Sequence, residues 1–142
     1  MSWYEAAANA GVPSAQFKLA NAYFAGVGVP RDPAQALLWY SRAAQQGLPQ
    51  AQHALGIMLI GGVAGTTDPV EGYKWLLLAE RGGHPDSRVV RERPREQIPE
   101  RDRKRAEALA QRFAPTLERP IDDGRARRAN APGRRPTARA RP

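Results

Sequence analysis

Gly26, Gly28 and Arg31, in the stretch GVGVPRDPAQA, are the first residues whose types and spacing suggest chemistry. A glycine turn can bring backbone amides onto a phosphate, and a nearby cation can hold it. Such a loop follows a strand and opens a helix. No strand is apparent before Gly26, and neither a third glycine nor a Lys-Ser/Thr pair follows, so the stretch reads as a turn between helices. The two histidines, His53 and His84, raise the possibility of a metal or a general base. His53 has no acid or histidine three or four positions away, His84 sits in a turn before Pro85, and the chain has no cysteine, so no ligand set forms. Nucleophilic catalysis needs a nucleophile, a base and an orienting acid. The serines and threonines sit mostly at caps and turns, and the acids fall singly at helix starts. The sequence therefore carries no catalytic residue, metal site or cofactor site.

Arginine is the remaining chemistry. The net charge of +8 is not spread along the chain: residues 1–85 hold five basic and five acidic side chains, and all the excess follows. Arg125, Arg127, Arg128, Arg134, Arg135, Arg139 and Arg141 lie in a final segment, 124–142, that has no acid. Such a segment can contact phosphates and release counterions. It lacks aromatics for base stacking, and its Gly, Ala and Pro content fits a disordered, solubilising end from about residue 119. Binding of nucleic acid or an anionic surface by this tail is the alternative functional reading. The N-terminus shows no signal peptide and no apolar run reaches the roughly 20 residues that span a bilayer, so a cytoplasmic location is expected. A start further upstream would allow a leader and a periplasmic location.

The elements that must position these residues are set by a repeat. Trp3, Trp39 and Trp75 are evenly spaced, and WYEAAANAGVPSAQ, WYSRAAQQGLPQAQ and WLLLAERGGHPDSR align without a gap. Ala7, Ala43 and Ala79 correspond, as do Gly11, Gly47 and Gly83, and Pro13, Pro49 and Pro85. Each unit predicts two helices. Asp32 and Asp68 are N-caps, with Pro33 and Pro69 at N1 and Gln35 and Glu71 at N3. These helices end at Gly47 and Gly83, with Pro49 and Pro85 stopping continuation. The other helix of each unit is expected from near Ser14 or Gln50 to just before Gly26 or Gly61. Alanines on the inner faces permit close approach of helices, and the aromatics fill the gaps between them.

The stretch LANAYFAGVGVPRDPAQALLWYSRAAQQGLPQAQHALG resembles the Sel-one-like repeat, a relative of the tetratricopeptide repeat. The resemblance extends from about Trp3 to Ser87. It implies an all-α, right-handed solenoid of about two and a half 36-residue helix-turn-helix repeats, a curved surface that binds another protein or peptide, and no catalytic residues. On this reading residues 1–90 form the repeat domain, 91–118 a linker and a capping helix near 100–114, and 119–142 the basic tail. Ala106, Leu109, Ala110 and Phe113 give the capping helix its apolar stripe. The array opens on the second helix of a unit, which leaves an apolar face uncapped or covered by a partner.

Most repeat-matched aromatics are expected in the core. Positions that differ between units are better candidates for recognition, since stacking requires core positions to stay alike. Those are Phe17, Lys18, Asn21, Phe24, His53, Ala54, Ile57 and Met58. The function expected is an adaptor or assembly scaffold.

Overall fold

The computed structural model describes residues 2–92 and 98–118, so the arginines of 124–142 and the tail reading fall outside the described residues. Seven α-helices lie within them: α1 (Ser2–Asn9), α2 (Pro13–Ala25), α3 (Pro33–Gln45), α4 (Pro49–Gly61), α5 (Pro69–Arg81), α6 (Ser87–Glu92) and α7 (Glu100–Arg112). The helices form a repeat solenoid. Asp32 and Asp68 cap α3 and α5, each carboxylate accepting from the amide three residues on, that of Gln35 at 3.2 Å and of Glu71 at 3.1 Å. Pro13 and Pro49, which stop the helix before them, also occupy the first turn of the helix after them, so α2 and α4 begin one residue ahead of the expected starts. α4 also runs one residue further than expected, through Gly61, with Gly62 as its left-handed cap. Gly11, Gly47 and Gly83 have φ of 94°, 98° and 94°, a region where a side chain is strained, and this explains glycine at each repeat of the same turn.

α2 packs on α3 and α4 on α5 as the two helix pairs, while α1 meets α2, α3 meets α4, and α5 meets both α6 and α7. Ala15, Leu19, Ala36, Trp39, Tyr40, Ala43, Leu55 and Trp75 are buried in one continuous core. Each large apolar side chain taken fully out of water contributes about 1.5–3 kcal/mol, so the handful of rings and leucines outweighs the alanines between them. The two pairs are not equally close. Where α2 and α3 carry Ala20 and Ala36, α4 and α5 carry Gly56 and Gly72, and a Cβ on Gly72 would lie 2.9 Å from the Gly56 carbonyl oxygen and 2.6 Å from Ile60 Cγ1.

α7 closes the C-terminal end. It buries Ala106 and Ala110, and Phe113 meets the Trp75 ring edge-on at 5.4 Å between centroids. The chain then leaves the helix in extended form at Phe113 and runs back along the repeat turns. A Cβ on Gly47 would come within 3.3 Å of Pro115 Cγ, and one on Gly11 within 2.8 Å of Glu118 Cβ. Three residues of extended chain cover about 10 Å, close to the spacing of packed helices, so this strap advances one repeat every three residues.

Candidate functional site

α2 and α4 are equivalent helices in successive units, and their outward faces hold the positions expected to vary for recognition. On α2, Lys18 and Asn21 are exposed; Lys18 Nζ sits 5.7 Å from the Tyr4 ring centroid, and Asn21 Oδ1 accepts a hydrogen bond from the Tyr40 hydroxyl. Burial pushes the Tyr40 hydroxyl up to about 12, which keeps it a proton donor toward Asn21. Phe24 is 38% exposed with the Arg31 guanidinium 5.8 Å from its ring centroid, and Ile57 on α4 is 40% exposed. These four remain on the surface.

The other candidates are placed differently. Met58 is 4% exposed and belongs to the core, which corrects the expectation that it faces outward. Phe17 is half-buried against Tyr40, with ring centroids 5.8 Å apart, and Ala54 packs against the core. His53 stacks on His84 at 3.9 Å, and its Nδ1 lies 2.7 Å from Ser87 Oγ. Its pKa is lowered, first by burial and then by His84, with Asp86 opposing. The sequence separation of 31 residues hides this pair, because the turn after α5 brings His84 back over α4. Among the described residues, no three His, Cys, Asp or Glu side chains converge as a metal site would need.

A hollow of about 510 Å³ opens between α1 and α2, lined by Tyr4, Lys18, Asn21, Ala22, Ala25, Val27 and Gly28. Lys18 and Asn21 are among the positions expected at a surface; Tyr4 is one of the repeat-matched aromatics expected in the core, and the hollow itself has no signature in the sequence. Beside it Trp3 is 72% exposed, whereas its repeat counterparts Trp39 and Trp75 are 9% and 2% exposed.

A second polar cluster lies on the turn side. Gln16 Nε2 donates to Ala8 O at 3.1 Å and to Glu118 Oε1 at 2.9 Å. Gln46 Nε2 donates to Gly11 O and Gln16 Oε1, while Gln46 Oε1 accepts from the Glu118 amide at 2.9 Å. Arg42 completes the set with a 2.6 Å ion pair to Glu118. The hydrogen bond from Arg42 holds the Glu118 carboxyl below its usual range against the opposing effect of burial, and Gln16 assists. Gln52 repeats part of this arrangement, donating to Ala44 O at 3.2 Å. Gln16 and Gln52 tie a carbonyl at the end of one helix to the start of the next, adding a side-chain bond to the backbone amide that each carbonyl already accepts. Their identity at matching positions of the first two units was the signal that could have found them.

The arrangement offers grooves, apolar contacts and hydrogen-bonding groups; its one hydroxyl–imidazole contact described above, Ser87 with His53, has its serine fully buried. The Sel1 repeat profile matches residues 1–12, 13–48 and 49–84. A Sel1 repeat protein from Oxalobacter formigenes is similar in crystal structure, with 34% identity, a TM-score of 0.62, and coverage of 64% of this chain and 68% of that one. The crystal structure of c5321, a protective antigen present in uropathogenic Escherichia coli strains and displaying an SLR fold, is similar at 30% identity and a TM-score of 0.76. That match covers 82% of this chain but only 25% of the larger relative. No curated protein matches.

Proposed function

Because the chain belongs to the Sel1 repeat family, we propose that it is a non-catalytic scaffold that holds a partner protein on the outward face of α2 and α4. Proteins of this family are generally protein-interaction scaffolds. The observation that carries this reading is the exposure of Phe24 and Ile57 on equivalent helices of successive units, beside the exposed Lys18 and Asn21 of α2. Exposed apolar groups set among Lys18, Asn21 and Arg31 have the mixed character of a recognition surface, an apolar centre with a polar rim. The frame is preformed by helix packing, so a partner would bind without paying to order it.

The test is affinity capture from the source cell with the full chain and with a Phe24→Ser/Ile57→Ser double variant whose circular dichroism matches the parent. A partner retained by the parent and lost by the variant supports the reading. Equal capture by both moves the interaction away from this face and sinks it.

A further inference from the structure

The strap from Phe113 to Glu118 is held by groups that the stacking of repeats does not require. Arg42 and Gln46 stand where the unit before has Ala6 and Ala10 and the unit after has Leu78 and Gly82. Gln16 shares its position with Gln52, and each bonds a helix-end carbonyl, but the bond from Gln16 to Glu118 is an addition to that task. The receiving groups are oriented without the strap. Gln46 Nε2 is engaged by Gly11 O and Gln16 Oε1, which aims Gln46 Oε1 and Gln16 Nε2 at the strap. The Arg42 guanidinium rests 4.5 Å from the Trp39 ring centroid. What these groups hold is extended chain. Pro115 lies over the Gly47 turn, and Thr116 N donates to Gln45 O at 2.7 Å. Glu118 lies over the Gly11 turn, with its amide on Gln46 and its carboxylate on Arg42 and Gln16. Ala114, Pro115 and Thr116 are exposed and Leu117 is 70% exposed, so the segment adds little to the core. Its hold is polar, directional and open to water on one side, which makes it exchangeable with the helical frame intact.

We propose that Arg42, Gln16 and Gln46, with the backbone of the Gly11 and Gly47 turns, form a binding site for an extended Pro-x-x-Glu segment of a partner protein, and that residues 113–118 of this chain occupy it as an internal competitor. The seated segment states the chemistry of the ligand. The glutamate is selected over glutamine by Arg42, whose Nε and Nη2 take the two carboxylate oxygens at 3.2 and 2.6 Å. Proline over Gly47 fixes an extended backbone and lowers the ordering that binding requires. Its neighbour is read through the backbone amide alone, and the residue before the glutamate faces water and is not read. The site lies on the turn side and is separate from the α2–α4 face. A tethered segment acts at an effective concentration on the order of millimolar, so a free ligand meets a site already closed and engages it once the strap is displaced.

The probe is an end-capped peptide of residues 113–118, titrated into the full chain and into a Glu118→Lys full chain, which sets a cation against Arg42 and frees the strap. Binding is followed by the side-chain amide signals of Gln16 and Gln46, and the tryptophan indole signals report that the helical frame is intact. The expected result is a saturable shift of both amides in the Glu118→Lys chain, at a peptide concentration at least about tenfold lower than the parent requires. A peptide carrying Glu118→Gln should bind at least about tenfold more weakly, since it loses the charged pair with Arg42. That difference should vanish when Arg42→Gln is added to the protein, whereas Phe24→Ser/Ile57→Ser should leave the titration unchanged. Absence of a saturable shift in the Glu118→Lys chain reduces the strap to a structural clasp and overturns the proposal. So do equal binding by the parent and Glu118→Lys chains, equal binding of the Glu and Gln peptides, or a shift traced by sedimentation to self-association.

Discussion

The two ends of the array hold the same residue in opposite circumstances. Trp3 and Trp75 stand at matched positions, yet one is 72% exposed and the other 2%. The difference is in the neighbours. Trp75 has α7 over it and meets the Phe113 ring edge-on, while among the described residues Trp3 has the adjacent Tyr4 alone as ring partner. In a solenoid, burial is conferred by the next unit and is not a property of a position. A repeat pattern therefore announces which residues are able to be core, and the ends decide which of them are.

The comparison breaks most visibly in stability. Trp75→Ala should cost about 3–5 kcal/mol, the range for removing a large ring from a packed core. Trp3→Ala should stay within about 0.5 kcal/mol, as surface changes do. Denaturant unfolding of both variants checks this, and similar losses would mean that the two ends are equally closed. The interior pairs give an intermediate effect. Gly72→Ala gains about 1 kcal/mol of helix propensity. It also forces a Cβ to 2.9 Å from the Gly56 carbonyl oxygen, backbone that cannot swing aside. Overpacking of this kind costs about 1–3 kcal/mol, so a net loss is expected, in contrast to the tolerated alanines at 20 and 36 of the N-terminal pair.

Acid separates the ends with the smallest effect. His53 has a lowered pKa in the folded state, so the unfolded chain binds more protons in the window between that value and about 6.5. Stability falls as pH drops through this window, and amide protection should weaken first around His53 and His84. Glu118 also has a lowered folded pKa, so its contribution is full above the unfolded carboxylate value of about 4.3 and disappears as pH falls through the folded one. The Arg42–Glu118 pair is partly exposed and is worth at most about 1 kcal/mol. Loss of protection near Gly11 should thus come only at lower pH, and His53→Gln should remove the first step and leave the second.

Local chemistry was legible and contacts between units were not. Asp32-Pro33 and Asp68-Pro69 mark helix starts because capping acts over three residues, and the turn glycines are read from one backbone angle. The rule that positions varying between units face outward holds for Lys18 and Ile57 but not for Met58, whose methionine fills the space that the smaller Ala22 leaves in the first unit. Phe17 and His53 are also matched positions, and each meets a ring from another helix, Tyr40 in one case and His84 in the other. They differ because their partners differ. The strap from Phe113 to Glu118 had no sequence signal at all, since an extended segment has no period and takes its contacts one by one.

That strap changes what kind of object the array is. A stack of units held only by nearest neighbours frays from either end, and each terminal repeat opens at little expense to the rest. Here Glu118 holds Gln16 across 102 residues of sequence. The last described segment is a clasp on the first complete repeat, so opening the N-terminal repeat also releases the chain end that leaves α7. Fraying at one end is thereby charged to both, and the linear array gains the cooperativity of a closed one. The same clasp comes late in folding, because its loop closes only after the helices between have shortened the distance it must span.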